Sequence, residues 1–146
     1  MIKKYFKMVL CAFVVGIILA SAPAAFAGLA YSNPIYYGPI DGYSYYNEAL
    51  VYTGSGLAYA ETLESNQGSG NVPTGYMGCL ARLYNSSGTL VTNTPWEYNS
   101  QPMLSFAAYT NDIYTSGTYY SSGIASAYNG NGYTPYYTYQ SPNQTL

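Results

Sequence analysis

Residues Tyr76–Tyr84 (YMGCLARLY) alternate between two sides, and no segment of ten or more residues after residue 27 has a helical period. Met77, Cys79, Ala81 and Leu83 fall on one side of an extended segment. Tyr76, Gly78, Leu80, Arg82 and Tyr84 fall on the other. Successive strand side chains point to opposite faces, so the pattern predicts a strand with Met77, Cys79 and Leu83 facing a core. Asn85-Ser86-Ser87-Gly88 follows with turn chemistry, Gly88 being suited to positive φ, and Thr89–Thr94 returns. Residues 76–94 therefore predict a β-hairpin, closed by Pro95 and Trp96.

Gly117–Tyr128 alternates in the same way, Asn129-Gly130-Asn131-Gly132 is a turn signal, and Tyr133–Gln140 returns. Pro135 cannot donate a ladder hydrogen bond, which places that returning strand at an edge or bulge. Further strands are expected at Tyr43–Tyr52, Leu57–Leu63 and Met103–Tyr109, with Ser65–Gly75 as a flexible loop tip. Tyrosine supplies 21 of the 146 residues, and only Tyr5 precedes residue 28. Tyr, Thr and Val favour strands, while Gly, Asn and Ser supply turns. Five to eight short strands at this spacing predict an all-β domain over residues 28–146, a small antiparallel β-sandwich or barrel.

Residues 1–27 read differently. Lys3, Lys4 and Lys7 precede an uncharged apolar run, Met8–Ala20, and Ala25-Phe26-Ala27 forms a small-x-small site. These are the three parts of a cleavable helical signal peptide, leaving Gly28 as the new N-terminus. The apolar run is shorter than the ~18 residues expected of a membrane-spanning helix and ends near Pro23. Cys11 lacks the small residues that a lipidation site needs before it. The expected location is secreted, extracellular or periplasmic, with no membrane contact after cleavage.

Charge then excludes whole classes of partner. With the three lysines gone, Arg82 is the single base against six acids, Asp41, Glu48, Glu61, Glu64, Glu97 and Asp112. Nucleic-acid affinity comes from cations displacing counterions at phosphates, so nucleic acid is not an expected partner. The chain has no histidine, which removes Ser-His-Asp and Cys-His nucleophile systems and imidazole metal sites. No phosphate-binding loop or calcium-loop motif is present, and no cofactor or metal is expected. Cys79 is the one cysteine after residue 27, so no internal disulfide forms there and the core must stabilise the domain.

The segment SGTYYSSGIASAYNGNGYTPYYTYQSPN (residues 116–143), with the Met77–Trp96 hairpin, resembles small tyrosine-rich exported proteins of Gram-positive bacteria that have no assigned activity. The resemblance implies a secreted bacterial origin and transfers no functional residue.

Four residues stand out as ligand-binding candidates: Trp96, Tyr119, Tyr136 and Tyr137. Tyr119-Tyr120 and Tyr136-Tyr137 are adjacent pairs, so one ring of each must leave the core face of a strand. Tyrosine offers large contact area at small entropy cost, and its hydroxyl finds polar partners. The expected function is a non-enzymatic binding domain for a neutral glycan or an extracellular protein. Self-association into a surface or matrix assembly is a second reading. A carboxylate-dependent hydrolase using Glu61, Glu64 or Glu97 is a third, which would need two acids about 5–10 Å apart. Arg82 is expected to pair with a cross-strand acid.

Overall fold

The computed structural model describes residues 28–146; the expected signal segment, its expected cleavage site and Cys11 lie outside the described residues. The chain is all-β. Its strands are β1 (Gly28–Tyr31), β2 (Ile35–Ile40), β3 (Tyr43–Gly54), β4 (Leu57–Asn66), β5 (Met77–Leu80), β6 (Arg82–Asn85) and β7 (Leu90–Asn93). They continue as β8 (Glu97–Tyr98), β9 (Ser105–Tyr109), β10 (Thr118–Ser121), β11 (Ile124–Tyr128), β12 (Tyr133–Tyr137) and β13 (Gln144–Thr145).

One five-stranded sheet runs β1-β3-β4-β9, with β2 also paired to β3. Two four-stranded sheets run β13-β10-β6-β7 and β12-β11-β5-β8, and every pairing is antiparallel. The core lies between the five-stranded sheet and the other two. Val51, Ala58 and Ala60 meet Leu83 and Tyr119 in one cluster, and Tyr45 meets Met77 and Ala127 in another. Ala108 meets Cys79 and Ala81 in a third. Met77, Cys79 and Leu83 are fully buried, as their alternation predicts.

The strand count exceeds five to eight because two segments that read as single strands each change sheets midway. The first changes at Ala81, between β5 and β6, and the second at Ser122-Gly123, between β10 and β11. At the second crossing a Cβ on Gly123 would run into the Thr62 side chain and the Leu80 carbonyl, so glycine permits the close approach to β4. The hairpin over 76–94 consequently pairs as β6–β7 near its turn and continues past Trp96 as β5–β8. Pro135 sits on edge strand β12, where its missing N–H is tolerated.

The loop after β4 is tied down rather than loose. β4 runs to Asn66, whose Nδ2 donates to the Gly70 carbonyl at 2.8 Å, and buried Val72 bridges Met103.

Many of the hydroxyl and amide side chains do structural work at strand ends. Six buried residues just beyond strands each accept a backbone N–H through the side-chain oxygen and donate their own N–H to the carbonyl of that same residue. The pairs are Ser32 with Ala49, Thr94 with Ala81, Asn99 with Met77, Thr110 with Ala60, Thr138 with Gly123 and Ser141 with Ser121. Both sheet crossings are closed by such a clip. A buried backbone group left unpaired costs about 1–3 kcal/mol, so the clips let a sequence rich in Ser, Thr and Asn end strands inside the fold.

Candidate functional site

Two outward faces remain, one on each side of the sandwich. On the β12-β11-β5-β8 sheet, Gly78 pairs with Tyr98 on one side and with Ser126 on the other, and Ser126 pairs with Pro135. With only Gly78 and Ser126 beneath, the Tyr98 ring lies down across the sheet. A Cβ on Gly78 would stand 2.6 Å from Tyr98 Cε1. The Tyr133 ring reaches in from β12 to a centroid distance of 4.7 Å, its hydroxyl donating to the Gly75 carbonyl at 2.8 Å. Trp96, two residues before Tyr98, stacks on it at 6.2 Å and 21°. Trp96, Tyr98 and Tyr133 are 37%, 39% and 43% exposed and form one aromatic platform, in which Trp96 and Tyr98 are near-parallel and Tyr133 is tilted 45° to Tyr98. Tyr128 and Tyr76 back it with ring contacts at 5.7 and 5.0 Å.

The four rings nominated from sequence divide evenly. Trp96 belongs to the platform, and Tyr137 lies exposed on the same outer side. Tyr119 does not: it is 4% exposed, packs with Leu83 and Val51, and donates its hydroxyl to the Thr115 carbonyl at 2.7 Å. Its neighbour Tyr120 is the outward member, stacked on Tyr84 at 5.2 Å. Tyr136 also turns inward, pairing across from buried Ala125 and stacking on Tyr37 at 3.8 Å and 8°. Neighbouring strand residues must face apart, but that rule does not say which of the two goes in.

Arg82 corrects another expectation. Its neighbours in the ladder are Asn93 and Ser122, not acids, and its Nε donates to the Ser122 carbonyl at 3.1 Å. The guanidinium sits 5.9 Å from the Tyr84 ring centroid and 5.8 Å from that of Tyr137, a cation–π arrangement.

On the five-stranded sheet the outward side chains form cross-strand rows. Tyr31, Leu50, Glu61 and Tyr109 make one row, and Leu29, Tyr52 and Tyr59 make the next. Tyr52 and Tyr59 stack at 5.1 Å, and Tyr59 meets Tyr109 edge-on at 6.3 Å. Glu48 lies diagonal to Glu61. Burial raises both carboxyls above their ordinary range, while the adjacent Tyr109 hydroxyl draws that of Glu61 back down. The period-2 pattern of Tyr46-Glu48-Leu50-Tyr52 and Leu57-Tyr59-Glu61-Leu63 was the sequence signal for this face.

Glu64 points the other way, into the core, opposite Asn47. The Tyr37 hydroxyl donates to its Oε1 at 2.7 Å and the Gly78 N–H to its Oε2 at 3.1 Å. Burial raises its carboxyl to about 8, against the lowering effect of those donors. Burial likewise pushes up the Tyr37 phenol and the Cys79 thiol, and the Glu64 charge adds to both. Tyr45 Oη, Asn47 Oδ1 and Ser126 Oγ are buried with no hydrogen-bond partner. Because Glu61 and Glu64 face opposite sides of β4, they do not flank a common sugar site. Among the described residues no group of three or more Cys, Asp or Glu gathers as a metal site. Comparison with family models, with curated proteins and with solved structures finds no match for this chain.

Proposed function

We propose that this is an exported, non-enzymatic binding domain that recognises a neutral glycan through the Trp96–Tyr98–Tyr133 platform. The observation that carries this reading is the contiguous set of three exposed rings: Tyr98 lies over Gly78, Trp96 is near-parallel to it, and Tyr133 stands beside it at 45°, fixed by its bond to Gly75. A flat aromatic surface stacks against the apolar face of a sugar ring, and rings already held in place lose little entropy on binding. The test is a fluorescence titration of Trp96 with soluble cell-wall and plant polysaccharide fragments. Saturable quenching that disappears in Tyr98→Ala supports the reading. A folded protein that responds to no fragment overturns it and moves the ligand to an extracellular protein.

A second reading, self-association, draws on the edge strands. β9 and β12 border their sheets with no lysine or arginine, residues that commonly block edge pairing. Sedimentation that stays monomeric at high concentration would remove it.

A further inference from the structure

We infer that the outward face of the five-stranded sheet is a second ligand platform, built for a sugar chain that carries ammonium groups, such as a deacetylated amino-sugar polymer. Its rings and carboxylates are interleaved. Glu61 lies in one cross-strand row between Tyr31 and Tyr109, with Leu50 beside it, and the Tyr52–Tyr59 stack fills the adjoining row. Tyr31 and Tyr109 are each 54% exposed at the two ends of that row. Three strand spacings separate them, about 14 Å, which spans several sugar rings.

The charge on this face is unopposed. Glu48 and Glu61 both point outward here, and Arg82, the single basic residue among the described residues, is held between Tyr84 and Tyr137 on the other side of the molecule. An anionic ligand would be repelled. An ammonium group between a carboxylate and tyrosine rings gains both charge pairing and cation–π attraction. A peptide that adds itself to a sheet edge is a poor fit, because β3 and β4 are interior strands with neighbours on both sides. Recognition on this face must come from side chains, and exposed rings with carboxylates between them suit the faces and amines of sugar rings. With the Trp96 platform on the opposite side, one molecule would hold two chains at once.

The test uses calorimetric titration of the whole protein with a glucosamine hexamer and with its fully N-acetylated counterpart. The glucosamine hexamer is expected to bind, to weaken as salt rises, and to lose about tenfold in Glu61→Gln, the loss of roughly one favourable charge contact. Glu97→Gln, which removes an acid outside this face, is expected to leave that affinity unchanged. Equal binding of the acetylated hexamer at this face overturns the inference. So does an equal loss in Glu97→Gln, which would mark general attraction to an acidic protein, and so does no binding at all. Repeating both titrations in Tyr98→Ala, which disables the Trp96 platform, leaves this face as the source of heat, so failure of the neutral-glycan platform and failure of this face are separately visible.

Discussion

Thr138 closes both backbone groups of Gly123: its N–H donates to the Gly123 carbonyl at 3.1 Å and its Oγ1 accepts the Gly123 N–H at 3.0 Å. Gly123 is where the chain leaves one sheet for another, so this clip fixes the angle between β10 and β11. Thr138→Val keeps the shape but removes the acceptor, leaving a buried N–H unpaired. The expected cost is about 1–3 kcal/mol in urea unfolding, with Thr138→Ser restoring most of it. Equal stability of the valine variant would show that the clip contributes nothing.

Gly78 controls the platform. A Cβ there would stand 2.6 Å from Tyr98 Cε1 and 2.5 Å from Ser126 Oγ, contacts that force the ring off the sheet. Gly78→Ala is expected to cost about 1–3 kcal/mol and to abolish the ligand response of Trp96. A variant that keeps full glycan response would show that ring height over Gly78 is irrelevant to binding.

How far the sequence could be read depends on the range of each interaction. The alternation of Tyr76–Tyr84 and the turn at Asn85–Gly88 are local, and both appear in the fold. The sheet change at Ala81 leaves no trace in that alternation, since Met77, Cys79 and Leu83 keep the same inward parity on both sides of it. Tyr119 was misplaced for a related reason: parity separates it from Tyr120, but only the pairing of Ser121 with Leu83 decides that the odd-numbered residues go inward. Glu64 was not recognisable as a buried acid, because its partners Tyr37 and Gly78 lie 27 and 14 residues away. The serines and threonines that looked like turn or surface residues include the strand-end clips, whose partners on the neighbouring strand lie 13 to 50 residues away in sequence.

Cys79 is fully buried among Ala81, Ala108 and Phe106, and burial raises its thiol well above the ordinary range. The thiolate is the reactive form, so the native protein is expected to resist a thiol reagent at neutral pH and to react once unfolded in urea. Stoichiometric labelling of the folded protein within minutes would contradict this burial.

The buried Glu64 makes stability depend on pH in a direction opposite to that of a salt-bridged acid. Its carboxyl is raised to about 8 in the fold, against an ordinary value of 4.5. Between those two values the folded chain holds a proton that the unfolded chain has released. Proton binding by the folded state favours folding, so this contribution is fully present below about pH 4.5, declines as pH rises, and is gone above about pH 8. The integrated effect is on the order of 5 kcal/mol, large against the roughly 5–15 kcal/mol that holds most domains together. Thermal melts are therefore expected to show Tm falling from pH 5 to pH 8, and Glu64→Gln, which cannot titrate, is expected to flatten that decline. Tyr37→Phe removes a donor that favours the ionised carboxylate, so it should extend the decline to higher pH. A wild-type Tm that rises across this window would mean that Glu64 is ionised in the native core and that its two donors outweigh its burial.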